Sequence, residues 1–120
     1  MKPSINIQHP DRLFIGGKWV QPSSKTKKIH VISSSTEEPI IDIAEAVEAD
    51  GDRAIEAARE AFDNGPWPRM KPYERADFLR KIAHGLRLCV EEASQAHATE
   101  VGITLNLARF FNQGPPGLFD

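Results

Sequence analysis

Phe78, Leu79, Ile82, Leu86, Cys89, Val90, Ala93 and Ala96 recur at three- and four-residue spacing, with polar residues on the opposite side. That period sets them along one side of an α-helix and excludes a strand, whose side chains alternate every second residue. Pro72 stands where a first-turn proline is tolerated. The spacing therefore predicts a helix from about Pro72 to Thr99, ~42 Å long at 1.5 Å per residue. A helix of this length needs an extended cover for its apolar side. Within a chain of 120 residues, a few short strands cover only part of it, and each large side chain left out forfeits ~1.5–3 kcal/mol of burial. Gly85 weakens the helix middle by ~1 kcal/mol relative to Ala, and Gly102 is placed to stop it.

The elements before this helix are shorter. Leu13 to Val20 reads as a hairpin, because Gly16-Gly17 supplies the two positive-φ positions of a primed turn; that register sets Phe14 opposite Trp19 and Leu13 opposite Val20. Ile29–Ser33 and Ile40–Ile43, joined through Thr36-Glu37-Glu38-Pro39, read as further strands of a meander. From Asp50 the period changes to that of a helix running to about Phe62, with Asp50 and Asp52 near its positive end. Asn64-Gly65-Pro66 ends it, Gly65 being suited to a left-handed cap. Trp67, Phe62 and Met70 are expected to tuck into the junction with the long helix. Ile103–Phe111 is a short apolar run that we read as a helix, followed by a Gly114-Pro115-Pro116-Gly117 loop. Residues 1–11 read as a flexible arm.

Composition excludes several roles. Apolar residues make up 40% and charged residues 27% of the chain, within the range of folded globular proteins. The net charge is −2, and the one tight basic cluster, Lys25, Lys27 and Lys28, lacks the aromatic platform or basic helix of a nucleic-acid site. No apolar stretch approaches a membrane span of ~18 residues. The single cysteine, Cys89, fits a reducing compartment, and a cytoplasmic location is expected. His9, His30, His84 and His97 show no metal-ligand spacing.

Side-chain chemistry alone supplies no active site. Cys89 lies on the apolar stripe, where a small thiol is expected to pack as a hydrophobe without the cationic neighbour that activates a nucleophile. Glu91, Glu92, Glu100, Arg87 and His97 read as a solvated helix face. There is no G-x-G-x-x-G and no phosphate loop. Catalytic, cofactor-binding and metal-binding residues are each expected to be none.

Four motifs in order nonetheless carry a resemblance. Phe14-Ile15-Gly16-Gly17-Lys18-Trp19 resembles the F-I-[NG]-G-x-W hairpin that opens aldehyde dehydrogenases. Asp52 to Phe62 is similar to that family's first helix, Pro66-Trp67 with Glu74-Arg75 to the start of its second, and Lys81-Ile82-Ala83 with Glu100-Val101-Gly102 to the body and close of that helix. The likeness covers nearly all of residues 12 to 112.

The resemblance implies an α/β fold in which an N-terminal β-meander and two amphipathic helices pack on a Rossmann-like, NAD(P)-binding domain. Residues 12–120 then form only part of that domain, without its parallel sheet. The family's nucleophilic cysteine in G-Q-x-C and its glutamate in E-x-G-G come later in such chains and do not occur here. The resemblance therefore implies an N-terminal portion of an NAD(P)-dependent oxidoreductase converting aldehydes to acids, inactive alone, with no cofactor of its own and with an aldehyde substrate only in the complete enzyme. It also places Phe110 or Phe111 near a substrate-tunnel mouth, and the backbone of His30 and Val31 with Glu100 near a structural cation site of some members. Self-association through the apolar stripe is expected. One rival reading is a non-catalytic module that docks on full-length subunits; another is one part of a longer active enzyme.

Overall fold

Glycine at both turn positions closes the first hairpin. In the computed structural model, which describes Ile5 and residues 7–117, Gly16 has φ 59° and Gly17 φ 77°, the left-handed pair that a primed turn requires. Strands β1 (Leu13–Ile15) and β2 (Lys18–Val20) pair antiparallel in the expected register, Leu13 with Val20 and Phe14 with Trp19. The Phe14 and Trp19 rings meet edge-on at 5.1 Å, and His9 lies against the other side of Trp19 at 4.8 Å.

A second hairpin follows. Strand β3 (Lys28–Ile32) pairs antiparallel with β4 (Pro39–Ala44), with a bulge between Val31 and Ile32 that brings Ile32 opposite Pro39. Proline stands there as the first residue of its strand, the position where a missing N–H costs least. The expected meander is in fact two separate two-stranded sheets. Contact between them comes through a neighbouring segment: the Ala44 N–H donates to the Pro10 carbonyl at 2.7 Å. Part of the arm expected over residues 1–11 lies outside the described residues.

Helix α1 (Glu48–Asp63) starts on a buried carboxylate. Asp50 is 1% exposed. Its Oδ2 accepts the Val47 N–H at 3.0 Å, closing the first turn. Its Oδ1 accepts the Ser23 N–H at 2.9 Å, the Ser23 hydroxyl at 2.7 Å and the Arg53 guanidinium at 3.0 Å. One side chain thus caps α1 and ties the β2–β3 loop to it. At its other end α1 stops without a left-handed residue. Asn64 is the cap with φ −111°, and Gly65 is absent from the positive-φ positions, so the expected left-handed cap is corrected. Glycine is needed there for closeness: a Cβ on Gly65 would stand 2.1 Å from the Ala61 carbonyl oxygen.

After a short 3-10 turn at Trp67–Arg69, helix α2 runs over Pro72–Val101. Glu74 accepts the Lys71 N–H at 2.7 Å at its start, and Gly102 ends it at φ 78°. Helix α3 (Leu105–Gly117) then turns back against α2. It includes the segment expected as a Gly-Pro-Pro-Gly loop. Proline's fixed φ suits a helix, and what it removes is a donor in a last turn. Leu118–Asp120 lie outside the described residues.

The covered side of α2 is the chief departure from expectation. Among the described residues, Ala83, Ala108 and Pro116 are buried apolar side chains, joined by Ser94, whose hydroxyl donates to the Val90 carbonyl at 2.6 Å. Small residues let α3 approach, and Phe78, Ile82 and Leu86 stay open on the neighbouring face. Cys89, expected as a packed hydrophobe, is exposed. Trp67 meets Phe78 edge-on at 6.3 Å but is 42% exposed, so it rims the junction without filling it; Phe62 is exposed as well. The chain is a slab of 50 × 36 × 18 Å with a radius of gyration of 17.3 Å, against ~13.6 Å for a compact domain of its length. Its accessible area is 8981 Å², against ~6,500 Å² for a folded monomer of its mass.

Two outcomes follow from the backbone and the cap. Gly102→Ala carries a left-handed penalty of ~1–2 kcal/mol and brings a Cβ within 2.7 Å of the Ser35 hydroxyl, so urea unfolding is expected to show a loss of at least that size. Gly85 has nothing within 4 Å of an added Cβ, and Gly85→Ala is expected to add up to ~1 kcal/mol. Hydrogen bonds from the Val47 backbone and then Ser23 hold the Asp50 carboxyl below its ordinary value of 3.8, against the opposing effect of burial. A depressed carboxyl stabilises the fold above its ordinary value and loses that contribution as pH falls through the lowered one. Helical circular dichroism of the wild type is expected to decline below about pH 4, and Asp50→Asn to flatten that dependence from a lower starting stability.

Candidate docking face

Helix α2, at 30 residues, is the longest of the described elements. Glu91 and Arg109 bind it to α3 through two contacts, Nε to Oε2 at 2.9 Å and Nη2 to Oε1 at 2.7 Å. Arg109 and then Gln95 pull the Glu91 carboxyl below its usual range, and Glu91 in turn raises the guanidinium. Both groups face solvent, so salt screens the pair. Asn112 donates to the Ala108 carbonyl at 2.8 Å and faces His97 Nδ1 at 3.2 Å. At the far end the Glu100 carbonyl accepts the Ser34 N–H at 3.1 Å and the Ser34 hydroxyl at 2.8 Å, pinning the second hairpin to α2.

These polar clasps lie beside the open apolar strip of Phe78, Ile82, Leu86, Cys89 and Ala93. Phe110 and Phe111 stand on α3, 71% and 53% exposed, with rings edge-on at 5.8 Å; Phe111 is 6.2 Å from the His97 ring. Sequence reasoning found these aromatics but missed Ser34, Arg109 and Asn112, which join segments far apart in the chain and leave no local pattern. Lys25, Lys27 and Lys28 line an open hollow of about 400 Å³ together with Asp11 and Asp42, a rim of mixed sign. His30 Nδ1 lies 2.6 Å from Asp42. No group of three or more His, Cys, Asp or Glu among the described residues is placed to hold a metal ion. None of the described helices is long and apolar enough to cross a membrane.

Residues 19–114 match the model of the aldehyde dehydrogenase family. The chain is also 37% identical over 99 residues, 82% of its length, to aldehyde dehydrogenase 1 of Tanacetum cinerariifolium. The chain belongs to the aldehyde dehydrogenase family. Among relatives, aldehyde dehydrogenase, cytosolic 1 of Mus musculus is 41% identical over 81 residues, 67% of this chain and 16% of that one. Among solved structures, NAD-dependent aldehyde dehydrogenase from Sinorhizobium meliloti superposes with a TM-score of 0.84 at 30% identity, covering 99% of this chain and 22% of that one. Betaine aldehyde dehydrogenase from Staphylococcus aureus, in complex with NAD+, superposes at 0.85 with 28% identity, covering 91% and 22%. The chain spans about a fifth of the length of the plant relative it matches, 20%. Its hairpins and helices match the N-terminal part of the aldehyde dehydrogenase fold.

A pyrophosphate sits at a helix N-terminus whose amides are free to receive it. At the starts of α1 and α2, Asp50 and Glu74 each accept the N–H of the residue that precedes the helix, and each places there a negative charge that repels phosphate. Both described sheets are antiparallel hairpins.

An exposed Cys89 has a direct readout. At high dilution, dithionitrobenzoate is expected to label one thiol per chain within the mixing phase, and a rate that rises only on adding urea would place the thiol inside the fold.

Proposed function

We propose that this chain is the N-terminal portion of an NAD(P)-dependent oxidoreductase that converts an aldehyde to a carboxylic acid, and that by itself it is a catalytically silent structural layer. The observation that carries the reading is chemical. Aldehyde oxidation of this kind needs a thiolate to attack the carbonyl, a nicotinamide to take hydride and a base to activate water. The sequence has neither G-Q-x-C nor E-x-G-G, and its one thiol lies mid-helix on an apolar strip, far from the N-terminus of α2. Residues 12–120 then belong to a cofactor-binding domain whose parallel sheet lies elsewhere, with 1–11 as an arm. Phe110 and Phe111 contribute to the mouth of the substrate tunnel in the assembled enzyme, and the reducing environment that suits a lone cysteine is the cytoplasm.

The uncovered face of α2 favours a second reading, a module that docks without chemistry of its own on other subunits. Self-association through the same face belongs to either reading.

Aldehyde-dependent reduction of NAD and of NADP, followed at 120-residue chain concentrations well above those used for the complete enzymes, tests the proposal. No turnover above the buffer rate is expected. Robust turnover abolished by Cys89→Ser would overturn it.

A further inference from the structure

Asn64 is the one asparagine of this chain that glycine follows; Asn6, Asn106 and Asn112 precede Ile7, Leu107 and Gln113. The asparagine amide is a thermolabile group, a slow electrophile whose nearest nucleophile is the amide nitrogen of the next residue. Glycine leaves that nitrogen unshielded, since it carries no Cβ. Asn64 is exposed, so water reaches it.

The fold holds the two reacting atoms apart. Asn64 caps α1 at ψ −17°, and a ring from its Cγ to the Gly65 nitrogen closes only after a large rotation of ψ away from that helical value. The Gly65 N–H is engaged, donating to the Ala61 carbonyl at 3.1 Å. The side-chain amide is engaged as well, its Nδ2 donating to Glu60 Oε2 at 2.8 Å. Arg69 seals the turn from outside: Nη1 donates to the Gly65 carbonyl at 2.7 Å and Nη2 to the Asp63 carbonyl at 2.8 Å, at the negative end of α1 where a cation is favoured.

We propose that Asn64 is a self-modification site, a one-way deamidation that the last turn of α1 gates and Arg69 guards. When that turn frays, the Gly65 nitrogen gives its proton to solvent and attacks Asn64 Cγ. The new C–N bond closes a succinimide, and the Cγ–Nδ2 bond breaks with Nδ2 leaving as ammonia. One water then opens the ring, giving aspartate at position 64 if it adds at Cγ and isoaspartate if it adds at the backbone carbonyl. Amide and water become acid and ammonia, with no other reactant. Neither product restores the cap. Aspartate replaces a donor to Glu60 by a like charge, beside Asp63 and at the helix end where negative charge is unfavourable. Isoaspartate adds a methylene to the main chain where a Cβ on Gly65 would already stand 2.1 Å from the Ala61 oxygen. Each event loosens α1 from the Trp67–Arg69 turn, and the covalent chain records how long that turn has been open.

Peptide mapping of the whole chain, aged in neutral buffer, tests the site, with isoaspartate scored by a carboxyl methyltransferase specific for it. Conversion is expected at Asn64 ahead of Asn6, Asn106 and Asn112, and faster at higher pH because the attacking amide must lose a proton. Arg69→Ala is expected to speed it on the order of tenfold in native buffer, from the loss of two charge-assisted hydrogen bonds, and to leave the rate in concentrated urea unchanged. In a urea series on the wild type, conversion is expected to rise before helical circular dichroism falls, as local opening precedes global unfolding; that series decides the matter if Arg69→Ala does not fold. An intact Asn64 after ageing in native buffer, earlier conversion at another asparagine, a folded Arg69→Ala no faster than the wild type, or a rate that rises only with the global transition would each overturn the proposal.

Discussion

Asp50 holds together segments that no hydrophobic core joins. Its carboxylate is withdrawn from water, yet it has four donors around it, from Val47, both polar groups of Ser23, and Arg53. A charge leaves water without large cost only when its lone pairs are matched in this way. The result is local in geometry and long-range in effect, because Ser23 comes from the loop after the first hairpin. Arg53 extends the same junction by donating to the Gln21 carbonyl at 3.1 Å. The same logic recurs where Ser34 takes hold of the Glu100 carbonyl and where Arg109 grips Glu91. Three polar clasps fix two hairpins and three helices whose apolar faces remain largely unmatched.

Much of the backbone is legible in the sequence because its causes are local. Gly16-Gly17 dictates a primed turn, the turn dictates register, and register brings Phe14 to Trp19. The reach of α2 is equally local, set by Pro72 at one end and the left-handed Gly102 at the other. Which face of α2 would be covered is a different kind of question. Periodicity identified the large apolar side chains but could not weigh them against Ala83 and Ser94, whose value lies in being small enough for another helix to come close. Gly65 shows a related ambiguity: a glycine after a helix signals either a left-handed turn or a backbone too near for a Cβ, and here it is the second. The proline pair in α3 misled in the same way, since proline forbids an N–H donor more strictly than it forbids helical dihedrals.

For the candidate face, sequence and structure each hold half of the account. The sequence contains the stripe and the family motifs; the structure shows the stripe in the open and a carboxylate, Asp50 or Glu74, closing the first turn of each of α1 and α2. What the chain shares with the aldehyde dehydrogenase fold is its N-terminal hairpins and helices.

The slab-like form has a thermal consequence. Heat capacity on unfolding tracks newly wetted apolar surface, at about 0.45 cal/K/mol for each Å². A chain 18 Å thin along its shortest axis has already wetted much of that surface while folded. Its heat-capacity step therefore falls below the ~12–15 cal/mol/K per residue of ordinary domains, and its stability curve is correspondingly flat. The lone chain softens gradually on warming and resists cold better than a tightly filled domain of equal marginal stability.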